Sequence, residues 1–135
     1  MSATEPKVHE MTFSVGKEEA IVFLGPDVTP VVSTPTLIHW LEIACRENSK
    51  PLLDPGEDTV GVAVSVKHLA ATPIGMTVRV VSRLTDVQGR FYSFEVEAFD
   101  DVEKVAEGKH ERASISVSKF ATRIAAKKAK KDSSS

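Results

Sequence analysis

Residues 34–48, TPTLIHWLEIACREN, carry the strongest secondary-structure signal in the sequence. Thr34 is a favourable N-cap residue, and Pro35 fits the first helical position, where its missing N–H costs nothing. No glycine or proline interrupts residues 36–48, and Ser49-Lys50-Pro51 then ends the pattern. The segment therefore predicts one helix of about three to four turns, the usual length in globular proteins.

This predicted helix is apolar over most of its circumference. Between Leu37 and Cys45 the only residues that are not apolar are His39 and Glu42. A helix of that composition is buried on most of its sides instead of lying on a surface.

Extended segments surround the helix. Residues 11–24 read as two short strands with a turn at Gly16-Lys17, and residues 25–33 read as a loop. In residues 59–71 a period of two places Val60, Val62, Val64 and Val66 on one face, and His68 continues that face. Short turns separate the other predicted strands, which are residues 76–84, 90–99 and 102–118.

One apolar helix among antiparallel strands is an α+β arrangement. A curved antiparallel sheet can wrap around such a helix, which is the hotdog architecture. A single sheet leaves free strand edges and one open face, so we expect edge-to-edge association into a homodimer, or a tetramer.

The length of 135 residues fits one domain. We expect a flexible N-terminus at residues 1–10, the folded domain at 11–120 and a basic tail at 121–135. From Lys119 onward six Lys and Arg residues face one acid, Asp132, so this end carries +5 and the rest of the chain −7 of the net −2. Such a tail either attracts phosphates or acidic surfaces, or is a solvated end, and we favour the solvated end.

Several classes of protein are disfavoured. The single cysteine, Cys45, excludes an intrachain disulfide and a multi-cysteine metal site, and it suits the cytoplasm. There is no apolar run long enough for a membrane span and no apolar signal core in residues 1–10. No glycine-rich phosphate loop, clustered metal-ligand spacing or basic aromatic platform for nucleic acid is present. We therefore expect no metal, no nucleic acid and no membrane among the partners.

Glu42 is the most informative polar residue. A buried carboxylate without a partner is costly, and burial raises its pKa. Either Glu42 belongs to a functional site, or it lies at an edge where it reaches water or a salt bridge.

His68 continues the predicted valine face and so points toward the helix. It is either a core histidine bonded to a carbonyl, or an acid–base partner of Glu42, which is predicted to face it across the same layer. Thr34 can serve as the N-cap alone. Its hydroxyl also lies at the positive end of the helix, which suits a developing oxyanion or a ligand carbonyl.

Of three further residues, Gly61 and Arg112 have two interpretations each and Cys45 has one. Gly61 interrupts its strand, which indicates a bulge or a close approach of the backbone to a ligand. Arg112 could meet a phosphate, although a surface ion pair is the default for arginine. Cys45 is flanked by apolar residues and is expected to be an inert packing residue.

The residues Ser33-Thr34, Glu42-Ile-Ala-Cys45, Gly61, His68-Leu-Ala-Ala-Thr-Pro73 and His110-Glu-Arg-Ala113 resemble the fluoroacetyl-CoA thioesterase group of the hotdog thioesterase superfamily. The similarity covers roughly residues 31–120. The spacings between Thr34, Glu42 and His68 agree with that family's threonine–glutamate–histidine triad.

The resemblance implies hydrolysis of a small acyl-CoA thioester at a dimer-interface site, with coenzyme A as part of the substrate and no metal or organic cofactor. Glu42 would be the nucleophile or the base that activates water, with His68 as its acid–base partner. Thr34 would bond Glu42 or the thioester, and Gly61 and Arg112 would contact the acyl or pantetheine region.

One departure from the family concerns specificity. The fluoroacetyl enzymes carry aromatic residues shortly before the catalytic threonine, as a hydrophobic lid over the acyl pocket. Here Val28-Thr-Pro-Val-Val32 is shorter and has no phenylalanine. We therefore expect a thioesterase of more general short- or medium-chain acyl-CoA substrates.

Two alternatives stay open at this point. The first is a non-catalytic hotdog protein that binds acyl-CoA or a small ligand, since fold alone does not decide function. The second is a hotdog hydratase or dehydratase, although the sequence has no Asp-x-Asn-Pro-x-His segment.

Overall fold

The computed structural model describes residues 7–133 of the chain. Its seven strands are β1 (Lys7–Ser14), β2 (Ala20–Ile21), β3 (Val31–Val32), β4 (Glu57–His68), β5 (Thr77–Gln88), β6 (Phe91–Phe99) and β7 (Lys104–Ser116). Its two α-helices are α1 (Thr34–Ser49) and α2 (Val117–Ser133). Short 3-10 helices at Lys17–Glu19 and Lys50–Leu52 complete the elements.

The five long strands form one antiparallel sheet in the order β1-β5-β6-β7-β4, and β2 pairs with β3 in a separate two-stranded ribbon. Helix α1 packs against all five strands of the large sheet. Between them lies the core, whose largest fully buried apolar side chains are Phe94, Leu37 and Leu41. The predicted α+β architecture, an antiparallel sheet around one central helix, is confirmed.

The start of α1 differs from the prediction by one residue. Ser33 is the N-cap, because its Oγ accepts a hydrogen bond from the backbone N–H of Thr36 at 3.2 Å. Thr34 is the first helical residue and is exposed. Ser33 thus supplies the cap, and the hydroxyl of Thr34 is available for another partner.

The prediction that Val60, Val62, Val64 and Val66 share one face of β4 is wrong for Val60 and Val62, which come before the phase change. The pairing of β4 with β7 shifts register between Gly61 and Ala63, where a β-bulge puts an extra residue into β4. Because one extra residue inverts the alternation, the face toward α1 changes phase at the bulge. Thr59 and Gly61 lie on that face before the bulge, and Val64, Val66 and His68 lie on it after the bulge, as their β7 partners show.

The segment 20–24 is strand only at Ala20–Ile21. Val22, Phe23 and Leu24 are 69%, 78% and 53% exposed, so their apolar side chains do not join the core of this chain. The predicted second strand is therefore mostly a loop.

The two ends of the chain are more ordered than expected. Strand β1 begins at Lys7, inside the segment predicted to be flexible, because residues 7–14 pair with β5 along their whole length. Residues 1–6 of that predicted segment lie outside the described part of the chain. The basic end forms α2, which begins at Val117, before the predicted boundary at 121, and buries none of its residues. No helix within residues 7–133 is long and apolar enough to cross a membrane.

Candidate functional site

Thr34 and His68 form the first polar contact of the site. The first turn of α1 presents Thr34, and His68 is the last residue of β4. Thr34 Oγ1 and His68 Nδ1 are 2.8 Å apart, which is a short hydrogen bond whose donor depends on the histidine tautomer. We refer to these two residues as the threonine–histidine pair.

The other nitrogen of His68 has no partner. Nε2 is buried, and it is the one buried side-chain nitrogen or oxygen without a hydrogen bond within residues 7–133. Burial lowers the pKa of His68 below its ordinary value, against an opposing interaction with the backbone of Ala70. The imidazole is therefore held neutral with one nitrogen unsatisfied, which is costly for structure and useful for a proton-transfer group.

A cleft of about 640 Å³ opens beside the threonine–histidine pair. Apart from Ser33 and the pair itself its walls are apolar, and they include Ile21, Phe23, Val31 and Leu69. Its size falls within the usual range for small-molecule sites, and a few polar groups in an apolar wall are typical of them.

Glu42 belongs to a second group of polar residues, further along α1. Its Oε2 lies 3.9 Å from Nη1 of Arg112, and the Glu42 side chain is 38% exposed, whereas that of Arg112 is 6% exposed. Of the two interpretations of Glu42, the single chain has the edge position, because the side chain is more than a third exposed and lies beside a cation. We refer to Glu42, Gly61, His110 and Arg112 as the glutamate–arginine group.

Gly61 leaves room for this carboxylate. A Cβ at position 61 would lie 3.1 Å from Glu42 Oε2 and 3.1 Å from His110 Cε1, tighter than ordinary contacts. The bulge reading of Gly61 is confirmed, since Gly61 adjoins the register shift of β4, and its backbone also lies close to the Glu42 carboxylate.

Arg112 is fixed by the strand beside it. Its Nε donates to Thr59 Oγ1 at 2.8 Å and its Nη2 to the Thr59 carbonyl at 2.7 Å. Burial lowers the pKa of Arg112 from its ordinary value, although an arginine stays cationic at neutral pH. The expectation of a surface ion pair is wrong, because the guanidinium is buried beneath Glu42.

His110 is a site residue to which the sequence analysis assigns no role, although it lies in a segment that carries the family resemblance. Its Nδ1 lies 2.8 Å from the carbonyl of Ala63, so Nδ1 carries the proton and donates it, and Nε2 accepts from Arg112 Nη1 at 3.1 Å. Burial lowers the pKa of His110, which keeps the ring neutral. The signal that could have found it is its phase on β7, two residues from Arg112 and on the same face.

The threonine–histidine pair and the glutamate–arginine group lie apart within one chain. At ~3.3 Å per residue, Gly61 and His68 are separated by roughly 20 Å along β4. The charge of Glu42 affects the pKa of His110 and of Cys45, but it is not among the causes of the His68 shift. The prediction that Glu42 and His68 face each other is therefore wrong for a single copy, because the strand carries them to opposite ends.

Cys45 is a packing residue. It is fully buried, and burial raises the pKa of its thiol to about 12, so it is not a thiolate at neutral pH. Within residues 7–133 no group of three or more His, Cys, Asp and Glu side chains is arranged to hold a metal ion.

Comparison with known proteins places the chain in a family. The family model described as "Fluoroacetyl-CoA-specific thioesterase" (FlK) matches residues 15–118. The fluoroacetyl-CoA thioesterase of Streptantibioticus cattleyicolor is 42% identical over 94 residues, which are 70% of this chain and 68% of that protein.

Solved structures agree with this assignment. A crystal structure of the fluoroacetyl-CoA thioesterase FlK has a TM-score of 0.84 at 33% identity, covering 94% of this chain and 98% of the other. A Thermus thermophilus hypothetical protein, a thioesterase superfamily member, has a TM-score of 0.87 at 28% identity and covers 98% and 99% of the two chains. The chain has the hotdog fold and belongs to the fluoroacetyl-CoA-specific thioesterase family.

Proposed function

We propose that this protein hydrolyses acyl-CoA thioesters, at a site formed by Thr34, Glu42 and His68 with Gly61 and Arg112. The observation that carries the proposal is the threonine–histidine pair, in which a neutral imidazole with an unsatisfied, buried Nε2 faces an apolar cleft. Family membership supplies the reaction class, since the matched relative is a fluoroacetyl-CoA thioesterase.

The proposed site needs two copies of the chain. Because one copy holds Glu42 and His68 apart, a complete site takes the glutamate–arginine group of one copy and the threonine–histidine pair of the other. Strand β4 is at the edge of the sheet, and its central valines, Val62 and Val64, are 50% and 45% exposed. A free apolar edge of this kind favours pairing with a second copy.

Twofold symmetry limits the geometry of that pairing. When two β4 strands pair antiparallel about a twofold axis near Val64, the Gly61 end of one strand lies beside the His68 end of the other. This places His68 of one copy beside the Gly61 and Glu42 of its partner. The same pairing brings the exposed valines of both strands to the interface.

Each residue then has a chemical role. Glu42 either takes a proton from the water that attacks the thioester carbonyl, or attacks that carbonyl itself and is released by water. The C–S bond breaks, and the departing thiolate takes up a proton through His68. The water consumed in the reaction returns a proton to the imidazole, which ends neutral as it began. Thr34 orients the imidazole, and Arg112, whose Nη1 lies 3.9 Å from Glu42 Oε2, positions the Glu42 side chain. Side chains alone carry this chemistry, and we propose that no metal or organic cofactor takes part.

The cleft indicates the kind of acyl group. A two-carbon acyl group would leave most of about 640 Å³ unfilled. Phe23 lies on the cleft wall and is 78% exposed, so an aliphatic acyl chain would cover apolar surface that this chain leaves in water. We propose that short- to medium-chain acyl-CoAs are better substrates than fluoroacetyl-CoA.

Thiol release from a panel of acyl-CoAs tests the proposed activity. We expect hydrolysis that Glu42→Gln and His68→Ala each lower by about 10²–10⁴-fold, and that chelator treatment does not lower. His39→Ala, which removes an exposed histidine of α1, is the matched control and should keep the wild-type rate. A protein that gains thermal stability from acyl-CoA without turnover would instead be a binding module.

Mixed dimers test the two-copy site. Glu42→Gln and His68→Ala chains are unfolded together, refolded together and assayed. Half of the dimers are then mixed and one of the two sites in each is intact, so activity should return to about a quarter of the wild-type value. If each site lay within one copy, the mixture would be as inactive as its components.

A further inference from the structure

A second cleft lies at the junction of β7 and α2, outside the site described so far. It measures about 670 Å³, and apart from Ile115 its lining is polar: Arg90, Ser114, Ser116, Lys119, Thr122 and Arg123. Three cationic side chains and three hydroxyls therefore surround one concave surface. That combination suits an anion with several oxygen acceptors, such as a phosphate.

Two of the cations are held in place by aromatic rings. The guanidinium of Arg90 lies 4.9 Å from the Phe91 ring centroid, and that of Arg123 lies 5.6 Å from the Phe120 ring centroid. A cation over a ring keeps its charge and loses some freedom, so it is positioned before a ligand arrives. Ser114 also donates its backbone N–H to the Arg90 carbonyl at 2.7 Å, which ties the β5–β6 turn to β7.

These cations have no carboxylate to neutralise them. None of Arg90, Lys119 and Arg123 is in an ion pair among the salt bridges of residues 7–133. The nearby Glu57, paired in register with Ser116, has its Oε1 occupied by the backbone N–H of Asp54. The positive charge of the cleft is thus available to a ligand.

The chain also needs such a site if its substrate is anionic. Up to residue 118 the chain carries a net charge of −7, which repels a polyanion, while the end from Lys119 carries +5. An acyl-CoA has its charge on the phosphates of its nucleotide, and the uncharged pantetheine arm separates these from the reacting sulfur. The cleft begins at Ser114, two residues beyond Arg112 on β7, or roughly 7 Å along the strand.

From this placement we infer that Arg90, Lys119 and Arg123 bind the phosphates of coenzyme A, with the pantetheine arm running along β7 toward Glu42 and Arg112. This inference rests on the proposed acyl-CoA substrate. It assigns the basic end of the chain to substrate binding, in place of the solvated end favoured from the sequence.

The test compares acyl-CoA with the same acyl group on pantetheine, which has no nucleotide. Lys119→Gln/Arg123→Gln should raise KM for acyl-CoA about tenfold, because two charge-assisted phosphate contacts are lost. It should leave kcat for acyl-CoA and KM for acyl-pantetheine unchanged. Lys127→Gln/Lys130→Gln removes the same charge from the same helix outside the cleft and should leave all three values unchanged.

Titration calorimetry with coenzyme A separates this inference from the proposed catalysis. Weaker binding of coenzyme A to Lys119→Gln/Arg123→Gln supports the phosphate site even if no acyl-CoA is hydrolysed, in which case only the catalysis is wrong. Equal affinity of variant and wild type, or equal effects of both double variants, overturns the inference. So does weaker retention of the cleft variant on anionic vesicles or nucleic acid while its affinity for coenzyme A stays the same.

Discussion

At one end of the helix–sheet layer, Thr34 and His68 share a single hydrogen bond of 2.8 Å, and His68 Nε2 has no partner. At the other end, Arg112 donates to Thr59 through two nitrogens, and His110 uses both of its ring nitrogens. A group whose donors and acceptors are satisfied stabilises the fold. A group with an unfilled partner position costs stability, and such groups are concentrated at functional sites.

This difference predicts how substitutions divide between stability and activity. In the glutamate–arginine group the loss of the Arg112 or His110 side chain should lower both, because their hydrogen bonds hold the group together. In the threonine–histidine pair a change should lower activity and leave the fold nearly unaffected.

The largest effect is expected from Arg112→Met. Its loss leaves Thr59 Oγ1, the Thr59 carbonyl and His110 Nε2 without their donor, so the free energy of unfolding should fall by about 2–4 kcal/mol. Urea denaturation measures this. The control is Arg79→Met, since Arg79 and Glu10 form an ion pair of 2.7 Å with both side chains about half exposed, which is worth less than ~1 kcal/mol. Equal losses in the two variants would mean that Arg112 does not hold the fold.

Gly61→Ala should separate activity from stability inside the glutamate–arginine group. The added methyl would press on Glu42 Oε2 and His110 Cε1, each 3.1 Å away, and displace the carboxylate by a few tenths of an ångström. We expect kcat/KM to fall about 10- to 100-fold, since misplacement of a reacting group is costly, and the urea midpoint to change little. Retained activity would show that Glu42 has freedom that the structure does not indicate.

The bulge at Gly61 also marks where reasoning from the sequence succeeds and where it fails. The helix, the sheet and the presence of Thr34, Glu42 and His68 as polar residues within apolar segments follow from periodicity and composition, which are local properties. The sequence marks Gly61 as an interruption of its strand. It does not predict that the alternation of side chains changes phase after Gly61, because a bulge depends on pairing with β7. For the same reason the sequence assigns no role to His110 and wrongly predicts that Glu42 faces His68 within one chain. The alternation of side chains along one strand does not specify which side chains the neighbouring strand places beside them.

Substitution of Thr34 tests the threonine–histidine pair. Thr34→Val keeps the shape of the side chain and removes the hydroxyl, which leaves Nδ1 of His68 without its partner. We expect kcat to fall about tenfold and the free energy of unfolding to fall by less than ~1 kcal/mol, whereas Thr34→Ser should restore most of kcat.

The matched control is Thr36→Val. Thr36 lies in the same turn, but its hydroxyl bonds the Ser33 cap at 2.9 Å and not the histidine. A loss of kcat in Thr36→Val equal to that in Thr34→Val would attribute the effect to the helix terminus and not to the pair.

Phe23→Ala should change the preference for acyl-chain length and little else. Each methylene that the ring covers contributes ~0.8 kcal/mol, or about fourfold in kcat/KM. The advantage of longer over two-carbon acyl groups should therefore shrink several-fold. Leu24→Ala is the control, since Leu24 is 53% exposed in the same loop but does not line the cleft. An unchanged chain-length profile in Phe23→Ala would remove Phe23 from the acyl pocket.

The smallest effect is the dependence of stability on pH. Burial lowers the pKa of both His68 and His110 in the folded chain, so below about 6.5, where an unfolded histidine gains a proton, the unfolded state binds more protons than the folded state. The two histidines therefore contribute stability that is fully present above pH 6.5 and is lost as the pH falls through their lowered values.

Thermal melting between pH 7.5 and 5 measures this loss, in a range above that in which the carboxylates titrate. His68→Gln and His110→Gln should each reduce the fall in Tm, and the double variant should reduce it most, whereas His39→Gln controls for the removal of a histidine. The two sites should then differ once more: acyl-CoA should reduce the contribution of His68, whose Nε2 gains a partner in the complex, and leave that of His110 unchanged. If ligand altered both contributions equally, the contrast between an open pair and a satisfied group would not hold.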